Sequence, residues 1–160
     1  MENNSIFLSQ KKFDEIWKRV TTSEPHHDDK LTAFLNDEFA DYTVYKTLSL
    51  RFSGEMRLLF AQMANDEMRH YRMLSGAYYI LAGEKFIPEK QKKLTFESLP
   101  QLLKDRYYAE LKSASSYLKT SENTEDELSF LYKSAAEDEK SHARTILYIL
   151  GGLVRQNFRS

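Results

Sequence analysis

Two six-residue stretches, Asn65-Asp66-Glu67-Met68-Arg69-His70 and Glu137-Asp138-Glu139-Lys140-Ser141-His142, each place a Glu three residues ahead of a His. Each is preceded at the same interval of 29 residues by another Glu, Glu38 and Glu110. A shift of 72 positions superposes Glu38 on Glu110, Tyr45 on Tyr117, Asp66 on Asp138, Glu67 on Glu139 and His70 on His142. The chain therefore reads as two copies of one unit. On a helix, residues three apart share a face, so Glu and His at this spacing can grip one metal ion together.

The apolar patterning makes that unit a helical hairpin. Leu31, Leu35, Glu38, Tyr42, Tyr45 and Phe52 follow one stripe of a helix expected over about 30–53. Phe60, Met63, Glu67, His70, Leu74, Ala77 and Leu81 alternate steps of three and four along a second, from Gly54 to about Ala82. Leu103, Tyr107, Glu110, Ala114 and Tyr117 mark a third over about 98–121, with Pro100 in its first turn. Leu128, Tyr132, Ala135, Glu139, His142, Ile146, Ile149 and Leu153 mark a fourth, its end weakened by Gly151 and Gly152. Residues level with one another in an antiparallel hairpin are equidistant from its turn. The midpoint of 38 and 67, 52.5, falls at Phe52-Ser53-Gly54, and that of 110 and 139, 124.5, falls beside the polar Ser121-Glu122-Asn123.

Between the hairpins, Gly83 to Glu97 contains Pro88 and the basic run Lys90 to Lys93, and is too long for a tight turn. At about 3.3 Å per extended residue it reaches about 45 Å, the length of such a bundle. Hairpins whose turns lie at opposite ends require that crossover, whereas an up-down-up-down bundle needs only a short link. The expected fold is thus all-α: an antiparallel four-helix bundle with a long crossover between helices 2 and 3.

Composition narrows the chemistry. The chain has no Cys, so thiolate metal sites, disulfides and cysteine nucleophiles are excluded and any metal is held by Glu, Asp and His. With 23 basic and 24 acidic residues in 160, there is no basic excess for nucleic acid. No apolar run approaches 18 residues and no leader pattern opens the chain, so no membrane partner and a cytoplasmic location are expected. The organisation expected is an N-terminal extension at 1–27, a bundle at 28–155 and a tail at 156–160. In the extension Phe13, Ile16, Trp17 and Val20 form the stripe of a short helix, and Asp28 or Asp29 can cap the helix after Pro25. His26 and His27 are adjacent, point to different sides, and read as solvated loop residues rather than ligands.

Glu38, Glu67, His70, Glu110, Glu139 and His142 all occupy core positions, where an uncompensated ionised group costs several kcal/mol. Two divalent cations, +4, balance four carboxylates, −4, with neutral imidazoles completing the set. Four helices contributing Glu, Glu, and Glu-x-x-His twice build a carboxylate-bridged dinuclear site.

Over about residues 30–153 these motifs resemble the ferritin-like di-iron superfamily, and within it the rubrerythrin and bacterioferritin branches. The resemblance implies two iron ions, or manganese, with Glu67 and Glu139 bridging and Glu38 with His70 and Glu110 with His142 as terminal ligands. It implies a di-iron peroxidase or oxidase acting on hydrogen peroxide or dioxygen, re-reduced by an external electron-donor protein, in a homodimer. An iron-binding ferroxidase, a dimanganese catalase and a di-iron hydroxylase share the pattern, although too few residues follow the fourth helix for the fifth helix of a storage cage. Tyr45 and Tyr117, two turns past Glu38 and Glu110, either hydrogen-bond ligand carboxylates and pass electrons, or pack the core. Asp66 and Asp138, each four residues before a His, either accept its outer ring N–H or are solvated. Two features depart from rubrerythrins: no cysteine-ligated rubredoxin domain, and Ser113 where an additional ligand Glu is usual, three residues after Glu110.

Overall fold

The carboxylate of Asp28 accepts from the backbone N–H groups of Lys30 at 2.8 Å and Leu31 at 3.2 Å, satisfying donors that a first helical turn leaves unpaired. From this cap α1 runs over Asp29–Arg51, followed by α2 over Gly54–Ala82, α3 over Leu99–Glu122 and α4 over Asp126–Asn157. The computed structural model describes residues 28–124 and 126–157. The short helix expected in 1–27, with His26 and His27, lies outside the described residues.

Both turns fall on the midpoints that the repeat marks. Phe52 and Ser53 separate α1 from α2, and the residues after Glu122 separate α3 from α4. Gly83 ends α2 with φ of 74°, its N–H bonded to the Tyr79 carbonyl at 3.0 Å, and the Ser98 hydroxyl caps α3, with Pro100 in its first turn. α4 continues past its expected end near Leu153, through Gly151 and Gly152 to Asn157. Two helical glycines cost about 1 kcal/mol each. Packing of Leu150 and Leu153 against the core beneath them holds the turn.

Within each hairpin the helices pair along their length, α1 with α2 and α3 with α4, and between hairpins the backbones approach along α2 and α4. Two apolar clusters show how the ends are arranged. One gathers Leu31 and Leu35 of α1, Leu74 and Tyr78 of α2, Tyr117 of α3 and Tyr132 of α4. The other gathers Tyr45 and Leu48, Phe60 and Met63, Leu103, and Ile146 and Ile149. α3 therefore begins at the end where α1 finishes, and the connection from Ala82 must travel the full length of the bundle. It runs along α1: the Glu89 N–H donates to Asn36 Oδ1 at 3.0 Å and Arg51 donates to the Leu94 carbonyl at 2.9 Å. Phe86 packs against the first cluster, and Leu94 and Phe96 against the second.

The result is the all-α, ferritin-like four-helix bundle with a long crossover. Among the described residues no helix is long and apolar enough to cross a membrane. The six ionisable residues of the repeat fall between the two apolar clusters in every helix, so the bundle is layered as apolar, charged, apolar.

Candidate metal centre

Glu38 comes from α1, Glu67 and His70 from α2, Glu110 from α3, and Glu139 and His142 from α4, and none is more than 4% exposed. They form two overlapping groups, Glu38, Glu67, His70 and Glu139, and Glu67, Glu110, Glu139 and His142. In each group one donor atom per residue lies within 4.8 Å of all the others, close enough to hold an ion. Glu67 and Glu139 belong to both groups. The spacing noted in the sequence places all six residues together.

The imidazoles are aimed by the protein. Nδ1 of His70 faces the centre, 3.1 Å from Glu38 Oε2 and 3.6 Å from both Glu67 and Glu139, and Nδ1 of His142 lies 3.0 Å from Glu67 Oε1. Each Nε2 points outward to an Asp, as the sequence allowed, but the pairing is crossed. His70 meets Asp138 at 3.0 Å and His142 meets Asp66 at 3.5 Å, so each imidazole is oriented from the opposite hairpin rather than from its own helix. An Asp four residues before a His on one helix lies a turn away along the axis; the neighbouring helix brings the other Asp level with the ring. Arg69 spans the two acids, 3.2 Å from Asp66 and 2.8 Å from Asp138.

The tyrosines cross in the same way. The Tyr45 hydroxyl of α1 donates to Glu110 Oε1 of α3, and the Tyr117 hydroxyl of α3 donates to Glu38 Oε1 of α1. Both rings are also core residues, so hydrogen bonding to a carboxylate and core packing are combined in one side chain. Arg106, not singled out in the sequence, donates to Asp41, to Glu110 Oε1 at 3.2 Å and to the Tyr45 oxygen at 3.4 Å. Its place four residues before Glu110 is a signal of a shared helix face. Its pairing with Asp41, 65 residues away, leaves no trace in spacing.

Electrostatics mark the layer as incomplete without added positive charge. Burial and then the charge of Glu67 push Glu38 up to about 8, and burial raises Glu139 well above the carboxylate range. Burial works against His142, yet the carboxylates of Asp66, Glu110 and Glu67, 3.0–3.5 Å from its ring nitrogens, push it up to about 12; His70 is raised by Glu139, Glu38 and Glu67 in the same way. Glu110 resists burial through His142, Glu139 and Arg106, and is held down at about 2. Among the described residues six buried side-chain polar atoms lack a hydrogen-bond partner, and five are here: Glu67 Oε1, Glu110 Oε2, Glu139 Oε1 and both ring nitrogens of His142. Buried polar atoms left unpaired in one place are donors suited to metal ions. The residues present fit two oxygen- and nitrogen-ligated cations.

A four-helix bundle with a long crossover and a buried layer of four carboxylates and two imidazoles defines the class of ferritin-like carboxylate proteins. The rubrerythrin family pattern matches residues 29–150, and the chain belongs to that family. It is similar to a protein of Bacillus subtilis (strain 168) named "Uncharacterized protein YhjR", with 30% identity over 118 residues covering 72% of this chain and 81% of that one. No solved structure matches.

Proposed function

We propose that the protein is a non-haem di-iron oxidoreductase that reacts with hydrogen peroxide or dioxygen at a carboxylate-bridged site. The observation that carries this reading is the sharing of Glu67 and Glu139 by both ligand groups. In it these two would be shared by both ions, while Glu38 with His70 and Glu110 with His142 would each hold one. The oxygen and nitrogen donors suit iron, with manganese as the chemically closest substitute. When bound, the ions supply the electrons for reduction of the oxidant and are re-reduced by an external donor protein.

The chain's own residues hold the geometry. Tyr45 and Tyr117 restrain the terminal carboxylates, Asp66 and Asp138 fix the imidazoles, and the apolar clusters above and below exclude water. Ser113 lines a cavity between α1 and α3 beside Arg106 and Asp41. A hydroxyl is too weak a ligand to replace an imidazole on iron, so His70 and His142 would remain the nitrogen donors, and such a site would accept dioxygen as well as peroxide.

The test is anaerobic titration with ferrous iron, followed by mixing the loaded protein with each oxidant at equal concentration. Two ions per chain are expected, and zero or one overturns the reading. A peroxide rate more than about a hundredfold above the dioxygen rate, about 2.7 kcal/mol of barrier, would overturn the role given to Ser113.

A further inference from the structure

Among the places beside the centre where the 72-residue repeat breaks, Phe34 corresponds to Arg106, and Asp41 corresponds to Ser113. The break is chemical while the placement is conserved. Phe34 stacks on Tyr117 with ring centroids 4.1 Å apart, and the Arg106 guanidinium lies 5.5 Å from the centroid of Tyr45, the tyrosine equivalent to Tyr117. Arg106 goes on to donate to Glu110 Oε1 at 3.2 Å, an oxygen that also receives the Tyr45 hydroxyl. Glu38, the equivalent of Glu110, meets the Tyr117 hydroxyl and His70, and no Arg or Lys among the described residues contacts it. The cavity of about 200 Å³ between α1 and α3 is lined by both members of each pair, Phe34 and Arg106, Asp41 and Ser113, and so borders both halves.

We propose that the two halves of the centre are inequivalent, with Arg106 as the positioning residue that lowers the affinity of the Glu110–His142 half for a divalent cation. The inference rests on the reading of the cluster as a two-ion centre. A guanidinium hydrogen-bonded to Glu110 occupies a lone pair and withdraws charge from the carboxylate that would face the ion, and it repels the ion itself. Asp41 cancels that charge at a distance, but Arg106 is the member of the pair in contact with Glu110. At the other half the place of the guanidinium is taken by the uncharged ring of Phe34, stacked on Tyr117.

Anaerobic titration with Co²⁺, read by calorimetry and by visible absorption, tests this without turnover. In the unmodified protein two binding steps should differ by at least about tenfold in dissociation constant. The double variant Asp41→Ser with Arg106→Phe gives the second half the residues of the first, and should shrink the gap to less than about threefold. Arg106→Lys keeps the charge and should keep the gap. His142→Ala should abolish the weaker step and His70→Ala the tighter one, a measurement that stands even if the double variant does not fold. Two equal steps in the unmodified protein, an unchanged gap in the double variant, a collapsed gap in Arg106→Lys, or the reverse assignment by the histidine variants would each overturn the inference. Failure to bind any Co²⁺ would instead overturn the two-ion reading beneath it.

Discussion

The hydroxyl of Tyr117 on α3 donates to the carboxylate of Glu38 on α1, 79 residues away in the sequence. It is the hydrogen bond that Glu38 Oε1 makes, because the other oxygen faces His70. Tyr117→Phe keeps the ring in the core and leaves that oxygen unpaired, a loss of about 1–3 kcal/mol in the metal-free protein. Tyr45→Phe should cost less, since Arg106 still donates to Glu110. Urea unfolding of the two apo variants measures the order; an equal or reversed cost contradicts it. Both variants should still bind two ions while changing the rate of oxidation or re-reduction.

The shared membership of Glu67 and Glu139 separates them from the terminal carboxylates. Glu67→Ala or Glu139→Ala removes a donor from both ligand groups and should abolish dinuclear binding. Glu38→Ala touches one group and should leave one ion bound at the Glu110–His142 half. Metal content after anaerobic loading decides: two ions in Glu67→Ala, or none in Glu38→Ala, would contradict the assignment.

Without metal, protons balance the layer. Glu38, pushed up to about 8, and Glu139, raised well above the carboxylate range by burial, hold their protons, His70 and His142 stay charged, and Glu67 and Glu110 are ionised. Two positive imidazoliums against two carboxylates sum to zero. Four carboxylates and two neutral imidazoles are reached by releasing two protons from the histidines and two from Glu38 and Glu139. Binding two divalent ions should therefore release about four protons, and affinity should rise with pH. Calorimetry in buffers of different ionisation heat counts them, and a release of about two instead of four would show that the histidines are already neutral.

The same shifts set the stability of the apo protein. Glu38 is raised from its ordinary 4.5 to about 8, so its contribution is complete below about 4.5 and is lost as pH rises through about 8. The apo melting temperature should fall between about pH 5 and pH 9, while loaded protein, stabilised by mass action, should not follow it. A flat apo profile would place Glu38 in the ionised form throughout.

Glycine positions divide by backbone conformation. A methyl group at Gly76, Gly151 or Gly152 would meet nothing within 4 Å, and all three are helical. Ala at any of them should stabilise by about 0.5–1 kcal/mol, raising the melting temperature by a few degrees. Gly83→Ala, at φ of 74°, should destabilise by about 1–2 kcal/mol. Thermal unfolding of the loaded protein compares them directly.

Most of the fold was legible because the repeat marks its own geometry. Equal spacing of Glu38 to Glu67 and Glu110 to Glu139 located both turns, and ionisable residues in phase with Leu35, Leu74, Leu103 and Ile146 located the layer between the clusters. What escaped was the pairing between hairpins. Asp66 precedes His70 in the chain, yet it faces His142, and Asp41 meets Arg106 across a bundle whose side-to-side register no periodicity encodes. Periodicity assigns a residue to a face and a level; it does not say which neighbour stands opposite.

Those crossed contacts bear on how such a chain could arise. Each hairpin lacks the hydroxyl that restrains its own glutamate and the acid that aims its own imidazole, and finds both on the other. A free-standing ancestor of one hairpin would have been complete only as a symmetric pair. In a chain whose copies are joined through the stretch along α1 that neighbourhood is permanent, and the duplicated positions need not match. Arg106 corresponding to Phe34, and Ser113 corresponding to Asp41, are two positions that do not.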